Sequence, residues 1–395
     1  MSHDSSLHVI SSTARCRVAI VGFGTVGSAV ARRLTSHDRP RGLELAHVYD
    51  RRAAEKCGRL QSAAGLHWTS SIDDVLQSDV DVVVETIGGL DPAAAWIRQA
   101  LAAGKSVVTA NKQVIARDGP SLLTFAARQG RQLRFEAAVG GAMPIVRGIG
   151  DGLAGDRLRR VVAILNGTTN AVLSRMEATG CTLEEALADA RARGYAEADP
   201  SIDLDGGDAA AKLAIICALA FGLRVDPARI QTQSASGVAA VDFEHARRRG
   251  GTIRQLAHAQ YDDEQSILTA WVAPVIVRRD SIFARTTGAQ NAAIITGVYA
   301  GDVAIAGAGA GGDATTVAII SDLLAIARDR AAVVPAPVLA SPRVVKGLEA
   351  AAELRTSTAT GSWFDTLTMS AHPEPLDECG PSGLCGDDLI EAEAV

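Results

Sequence analysis

The chain has 395 residues, 47% of them hydrophobic and 21% charged, which is length and composition for two domains with substantial cores. A net charge of -6 and a pI near 5.8 argue against a general nucleic-acid or anionic-membrane partner, and no basic stripe interleaved with aromatics offsets them. The six cysteines are scattered, without CxxC or Cys/His zinc spacing, which excludes a disulfide framework and suits a reducing, cytoplasmic setting. No apolar run reaches the roughly 18 residues of a membrane span. The first fifteen residues are polar, so no signal peptide is expected. Aromatics are scarce at 4%, which leaves the core to Ala, Val, Leu and Ile.

From Arg15 to about Phe135, short apolar runs alternate with helical patterns. CRVAIVG predicts a strand and GTVGSAVARRL a helix. LELAHVYD, DVDVVVETIGG, GKSVVTA and QLRFEAAVG each predict a further strand ending in a turn. This alternation means a parallel sheet with crossover helices, and runs without period-two alternation fit strands buried on both faces. After Pro144 the pattern changes. RRVVAILNGTTNAVLSRM predicts a strand, a glycine-containing loop and a helix. CTLEEALADARARG predicts an amphipathic helix with Thr182 and Glu185 as a capping box. An acidic loop, GYAEADPSIDLDGGDAAAKL from Gly194, then runs into the apolar helix Leu213 to Leu223. Gly250 to Thr252 and Ile267 to Arg278 suggest more sheet. GDVAIAGAGAGGDATTVAIISDLLAIARD predicts a glycine-rich turn feeding a long helix, about 313–330, that returns to pack on the first domain. Beyond about Ala340 the periodicity weakens. From His372 onward a tail rich in Gly, Pro, Ser and acid reads as mobile.

Gly22, Gly24 and Gly27 form G-x-G-x-x-G between a predicted strand and a predicted helix, with Phe23, Thr25 and Val26 in the same candidate cofactor loop. The first glycine allows the tight turn, the second lets pyrophosphate approach the backbone, and the third lets helix and strand pack closely. The helix N-terminus then faces the phosphates with its partial positive charge. Asp50 lies 23 residues past Gly27 at the end of the next strand, where an acid binds the ribose hydroxyls. Arg51 and Arg52 beside it are either a solvated pair or a site for the 2′-phosphate of NADP, so NAD and NADP both stay open. Lys112 closes another predicted strand in TANK, where doubly wound sheets bind their ligands; a surface lysine in a turn is the bland alternative. Phe135 to Val146, FEAAVGGAMPIV, turns carbonyls inward around Glu136, which suits a hard cation, a domain-crossing hinge, or both at once.

The acidic loop holds Glu197, Asp199, Asp203, Asp205 and Asp208 and ends on Lys212. Charge at the mouth of a buried helix is costly unless it is paired or used. Asp208 and Lys212 are four apart and share one helix face. A simple exposed salt bridge is the alternative, and the uninterrupted apolar sequence after Lys212 weighs against it. A lysine held against an apolar face becomes a usable proton donor near neutral pH.

From about Arg17 to Arg328 the chain resembles the homoserine dehydrogenases. The carrying segments are VGFGTVG at Val21, TANK at Thr109, EAAVGGAMPIV at Glu136, LNGTTN at Leu165, the 194–213 segment, and GAGAGGDATT at Gly307. The resemblance implies an α/β chain. A Rossmann-type dinucleotide domain would span residues 15–145, an α+β catalytic and dimerisation domain with a mixed sheet 146–312, and an irregular tail 341–395. It implies reversible NAD(P)H-dependent reduction of L-aspartate 4-semialdehyde to L-homoserine by a homodimer. Lys212 would donate the proton. Glu197 and Asp208 would bind substrate, with Tyr195, Gly167 and Thr168 lining the pocket, and Lys112 would help position substrate and cofactor. Thr86 and the Gly307–Gly311 loop, Gly309 included, would touch the cofactor. Glu136, with carbonyls of Val139, Gly141 and Met143, would bind a sodium ion.

Ala171 and Ala308 depart from the family's usual Tyr and Pro without replacing a catalytic group. Residues 341–395 are too short and irregular for the ACT domain that ends many bacterial members, so threonine feedback through one is not expected. Cys379 and Cys385 read as free thiols or as a redox pair. Two other readings compete. One is a semialdehyde dehydrogenase with a cysteine nucleophile, for which Cys181 and Cys217, both in predicted helices, are poorly placed. The other is a catalytically idle dinucleotide-binding sensor, against which Glu197, Asp208, Lys212 and Lys112 speak.

Overall fold

The computed structural model describes residues 15–60, 65–197, 199–309, 311–330, 338–348 and 390–392. Cys379 and Cys385, and most of the 341–395 tail, lie outside them. The first sheet is wholly parallel. Its strands are β1 (Cys16–Val21), β2 (Leu43–Tyr49), β3 (His67–Thr69), β4 (Val82–Glu85), β5 (Ser106–Thr109) and β6 (Leu133–Arg134), in the order β3-β2-β1-β4-β5-β6. The order reverses between β1 and β4, which opens a crevice at the carboxyl ends of those strands. All four residues of β4 and of β5 are buried, as the unbroken valine runs foretell. The three-residue β3 has no apolar run to announce it. QLRFEAAVG supplies only two strand residues, because Glu136–Ala138 coils into a 3-10 turn.

The second sheet is mixed. Its strands are β7 (Leu158–Ile164), β8 (Gln231–Thr232), β9 (Gly251–Asp262), β10 (Ile267–Arg278), β11 (Gln290–Gly297), β12 (Gly301–Ala308), β13 (Val344–Lys346) and β14 (Ile390–Ala392). The order is β12-β11-β7-β9-β10-β13, with β8 and β14 also paired to β10. GDVAIAGA is therefore strand β12 and not a turn. Its side chains alternate between half-buried and exposed, the period-two signature that its small residues obscure. Neither β11 nor the full reach of β9 was expected.

Seven helices matter for the site: α1 (Thr25–Thr35), α2 (Lys112–Arg128), α3 (Gly167–Thr179), α4 (Leu183–Ala192), α5 (Ser201–Leu204), α6 (Gly207–Phe221) and α7 (Gly312–Arg328). The acidic segment is thus partly helical, with α5 in its middle. Thr182 and Glu185 form the capping box of α4, and Cys181 precedes that helix, contrary to its expected helical position. α7 brings Ile319, Leu323 and Ile326 into one core with Val18 and Ile20 of β1 and Val82 and Val84 of β4. The chain thus leaves the first sheet, builds the second, and returns.

Candidate active site

A buried carboxylate stands at the meeting of the two sheets. Asp208 lies in the first turn of α6, just past Gly206, whose φ of +82° and close approach to Val272 suit glycine alone. One carboxylate oxygen receives Lys112 Nζ at 2.7 Å and the other receives Lys212 Nζ at 2.8 Å. Lys112 is the first residue of α2, directly beyond β5 of the parallel sheet. Lys212 sits one turn along α6 and also donates to the Leu165 carbonyl at 2.7 Å. Asp208 is 3% exposed, and burial alone would raise its pKa. The charges of Lys212 and Lys112 outweigh burial and hold the carboxyl well below the usual carboxylate range. Burial pulls the Lys112 ammonium down, but Asp208, helped by Asp203 and Glu197, keeps it above its ordinary value.

Asn166 organises the same corner. Its side-chain oxygen caps α3 through Thr169 N–H at 2.7 Å, and its amide donates to Asp208 at 2.8 Å and Asp203 at 2.7 Å. Burial raises the Asp203 pKa, with Asn166 opposing. Thr168 donates its hydroxyl to the Tyr195 carbonyl at 2.6 Å, while Tyr195 and Glu197 are exposed at the rim. Gly167 opens α3 and is buried. Asp199 accepts Ser201 N–H at the start of α5, and Asp205 accepts from Ser234, so both support the loop.

The glycine motif occupies the crevice. Gly22 has φ +103°. A Cβ at Gly24 would meet no atom within 4 Å, whereas one at Gly27 would collide with the Gly22 carbonyl. The three glycines thus divide into turn, open approach and close packing. Thr86 caps the turn by donating to the Gly22 carbonyl at 2.9 Å. Asp50 accepts from Phe23 N–H at 3.0 Å and from Lys56 Nζ at 2.6 Å. Burial would raise its carboxyl, but Lys56 and the backbone N–H groups of Arg52 and Phe23 outweigh it and hold it low. Arg51, Arg52 and Lys56 line this cavity of about 330 Å³ together with Gly22 and Thr86. Thr25 borders an adjoining space, and Val26 is half-buried in α1.

The same geometry has relatives. A family model described as "Homoserine dehydrogenase" matches residues 144–324, and one described as "Homoserine dehydrogenase, NAD binding domain" matches residues 22–136. The homoserine dehydrogenase of Synechocystis sp. is 38% identical over 319 residues, covering 78% of this chain and 73% of its own. The chain belongs to the homoserine dehydrogenase family. By that membership it is an NAD(P)-dependent oxidoreductase with a small-molecule substrate. The crystal structure of a homoserine dehydrogenase from Thiobacillus denitrificans has a TM-score of 0.77 at 33% identity, over 84% of this chain and 80% of that one. A hyperthermophilic archaeal homoserine dehydrogenase solved in complex with NADPH has a TM-score of 0.67 at 26% identity, over 81% of this chain and 100% of that one.

Set beside homoserine dehydrogenase expectations, the segment at Glu136 is partly assembled. Glu136 accepts the N–H groups of Val146 and Arg147, each at 2.9 Å, and burial, with Asp322 nearby, pushes its carboxyl up to about 7. Val139 and Met143 are buried, and Gly141, at φ +63°, packs on the Ala308 and Gly309 carbonyls. Sequence reasoning missed four polar residues here: Asn166, Lys56, Glu85 and Asp322. Asn before a helical run is a capping signal, and Glu85 is an acid closing an all-valine strand, so those two were open to notice. Lys56 and Asp322 join partners far along the chain or across a loop and carry no local sign. Cys217 is fully buried, and that burial pushes its thiol up to about 12, the reverse of what a thiolate nucleophile needs. Among the described residues no helix is long and apolar enough to cross a membrane.

Proposed function

We propose that this chain catalyses the reversible reduction of L-aspartate 4-semialdehyde to L-homoserine, a step toward threonine and methionine. The observation that carries the proposal is the buried Asp208 carboxylate held between Lys112 and Lys212 at 2.7 and 2.8 Å. It gives one ammonium group to each side of a carboxylate, one from the parallel sheet and one from the second unit. NAD(P)H, when bound, supplies a hydride to the aldehyde carbon. Lys212 donates a proton to the aldehyde oxygen, so hydride plus proton account for the alcohol. In the reverse direction the same amine accepts the proton. Asp208 holds Lys212 in place and, with Glu197, receives the polar groups of the substrate. Tyr195, Gly167 and Thr168 form the wall, and Lys112 orients substrate against cofactor.

The glycine turn fits a dinucleotide, because the open space at Gly24 is where a phosphate meets backbone N–H groups at the start of α1. Gly22, Phe23, Gly24, Thr25, Val26, Gly27, Asp50, Arg51, Thr86, Lys112 and Gly309 are the proposed cofactor contacts. Asp50 suits the ribose of NAD, whereas Arg51, Arg52 and Lys56 suit the 2′-phosphate of NADP, and the NADPH complex of the archaeal relative supports acceptance of the latter. A sodium ion fits the Glu136 donor set, since among the described residues the buried carboxyl is countered only by Arg147 at 3.9 Å and carbonyls of Val139, Gly141 and Met143 are oxygen ligands. We assign residues 15–145 to a dinucleotide domain and 146–312 to a catalytic and dimerisation domain, in a cytoplasmic homodimer. Semialdehyde reduction and homoserine oxidation, assayed with NADH/NAD and NADPH/NADP, with and without sodium and threonine, test this. Absence of substrate-dependent oxidation of either cofactor across salt and pH overturns it.

A further inference from the structure

Glu85 ends β4 and is 1% exposed, yet no step above uses it. Its carboxyl ties three segments together. One oxygen accepts Ile87 N–H at 2.9 Å and Gly88 N–H at 3.3 Å, from the loop beyond β4. The other accepts the hydroxyl of Thr109, the last residue of β5. Thr109 Oγ1 in turn accepts Asn111 N–H at 3.0 Å. Asn111 caps α2 through Val114 N–H at 3.2 Å and donates its amide to the Gly89 carbonyl at 2.7 Å. Lys112 is the next residue, and its ammonium reaches Asp208. An unbroken path of hydrogen bonds and chain therefore runs from Glu85 to the lysine that joins the two halves of the site.

A carboxyl group in an all-valine strand is an expensive way to close it, since burial disfavours its charged form and raises its pKa. The backbone groups it satisfies would be met as well by a side chain of lower desolvation cost. What a carboxyl adds is two acceptor oxygens in one rigid plane, able to hold two strand ends at fixed spacing. We propose that Glu85 is a positioning residue, which clamps the Thr109–Asn111 turn so that Lys112 points at Asp208. The proposal rests on the functional reading above for its relevance to catalysis.

Its test reads Lys112 directly and does not depend on activity. The chain has five lysines, at 56, 105, 112, 212 and 346, so trace acetylation at pH 8 followed by mass spectrometry resolves each. Lys105 immediately precedes β5 and donates to the Ser78 and Val80 carbonyls, so its labelling reports the integrity of the strand itself. In Glu85→Ala, Lys112 labelling should rise about fivefold or more, because the free-amine fraction grows roughly tenfold for each pH unit by which its pKa falls. Lys105 labelling should stay within about twofold on the same scale. Glu85→Gln keeps one acceptor for Ile87 and Gly88 but loses the one for the Thr109 hydroxyl, and should raise Lys112 labelling part-way toward Glu85→Ala. Thr109→Val cuts the path while keeping Glu85 itself and should expose Lys112 as Glu85→Ala does, which covers the case where the alanine variant does not fold. Unchanged Lys112 labelling in Glu85→Ala or Thr109→Val, or a joint rise of Lys105 and Lys112, overturns the proposal. A wild-type protein without semialdehyde reductase activity would sink the functional reading and leave this measurement standing.

Discussion

Lys212 and Asp208 share one buried contact, yet their replacement should fail in different ways. Lys212→Ala removes a proton donor, a contribution typically of about 10²–10⁴-fold. We expect kcat to fall in that range while the NADPH dissociation constant, read by fluorescence titration, stays near wild type. Retained turnover would remove Lys212 from the chemistry. Asp208→Asn instead leaves the ammonium groups of Lys112 and Lys212 facing a buried neutral amide. Breaking a buried pair in this way costs about 3–5 kcal/mol, which urea unfolding at pH 7 would measure. The sign with pH follows from the depressed carboxyl. Its stabilisation is present above its unfolded value near 3.8 and is lost as pH falls below that value. The gap between wild type and Asp208→Asn should therefore narrow from pH 5 to pH 3.

At the scale of elements, the segment Glu136–Arg147 carries the opposite sign. The Glu136 carboxyl is raised from 4.5 to about 7, so its contribution to stability is full below about 4.5 and is lost as pH rises through about 7. In sodium-free buffer the wild type should lose about 3 kcal/mol over that window relative to Glu136→Gln, from 1.36 kcal/mol per pH unit. Sodium chloride, compared with choline chloride at equal ionic strength, should restore melting temperature at pH 8 and do little at pH 5. A sodium effect that survives in Glu136→Gln would place the ion elsewhere. The elements also show what the chain discloses by itself. β1, β4 and β5 were legible because buried parallel strands are written as nearly unbroken Val and Ile runs, and β2 through its apolar residues and the Asp50 turn that ends it. α4 was legible through Thr182 and Glu185. The pairing of Asp208 with Lys212 was legible because helical spacing is local. β12 was not, since an Ala/Gly strand has too little contrast between faces. The join of Lys112 to Asp208 was not either, because residues 96 apart meet only through the packing of two sheets.

The whole molecule is a chain that leaves its first sheet and comes back to finish it. α7 supplies Ile319, Leu323 and Ile326, all 2% exposed or less, to the face of β1 and β4. Its Asp322 bonds Arg147 at 2.8 Å and Glu136 N–H at 3.0 Å, which ties the returning helix to the segment leaving the sheet. Residues 15–147 alone would therefore expose one apolar face of the dinucleotide sheet. Each large aliphatic side chain of α7 is worth about 1.5–3 kcal/mol when buried, so three of them outweigh much of the roughly 5–15 kcal/mol that stabilises an ordinary domain. A fragment of residues 15–147 should give no cooperative thermal transition by circular dichroism. The same fragment carrying residues 312–330 on a flexible linker should melt cooperatively. In the full chain, Leu323→Ala should lower unfolding free energy by about 2–5 kcal/mol. A cooperative melt of the shorter fragment would show that the parallel sheet closes without its last helix, and that the return of the chain serves the site and not the stability of the sheet.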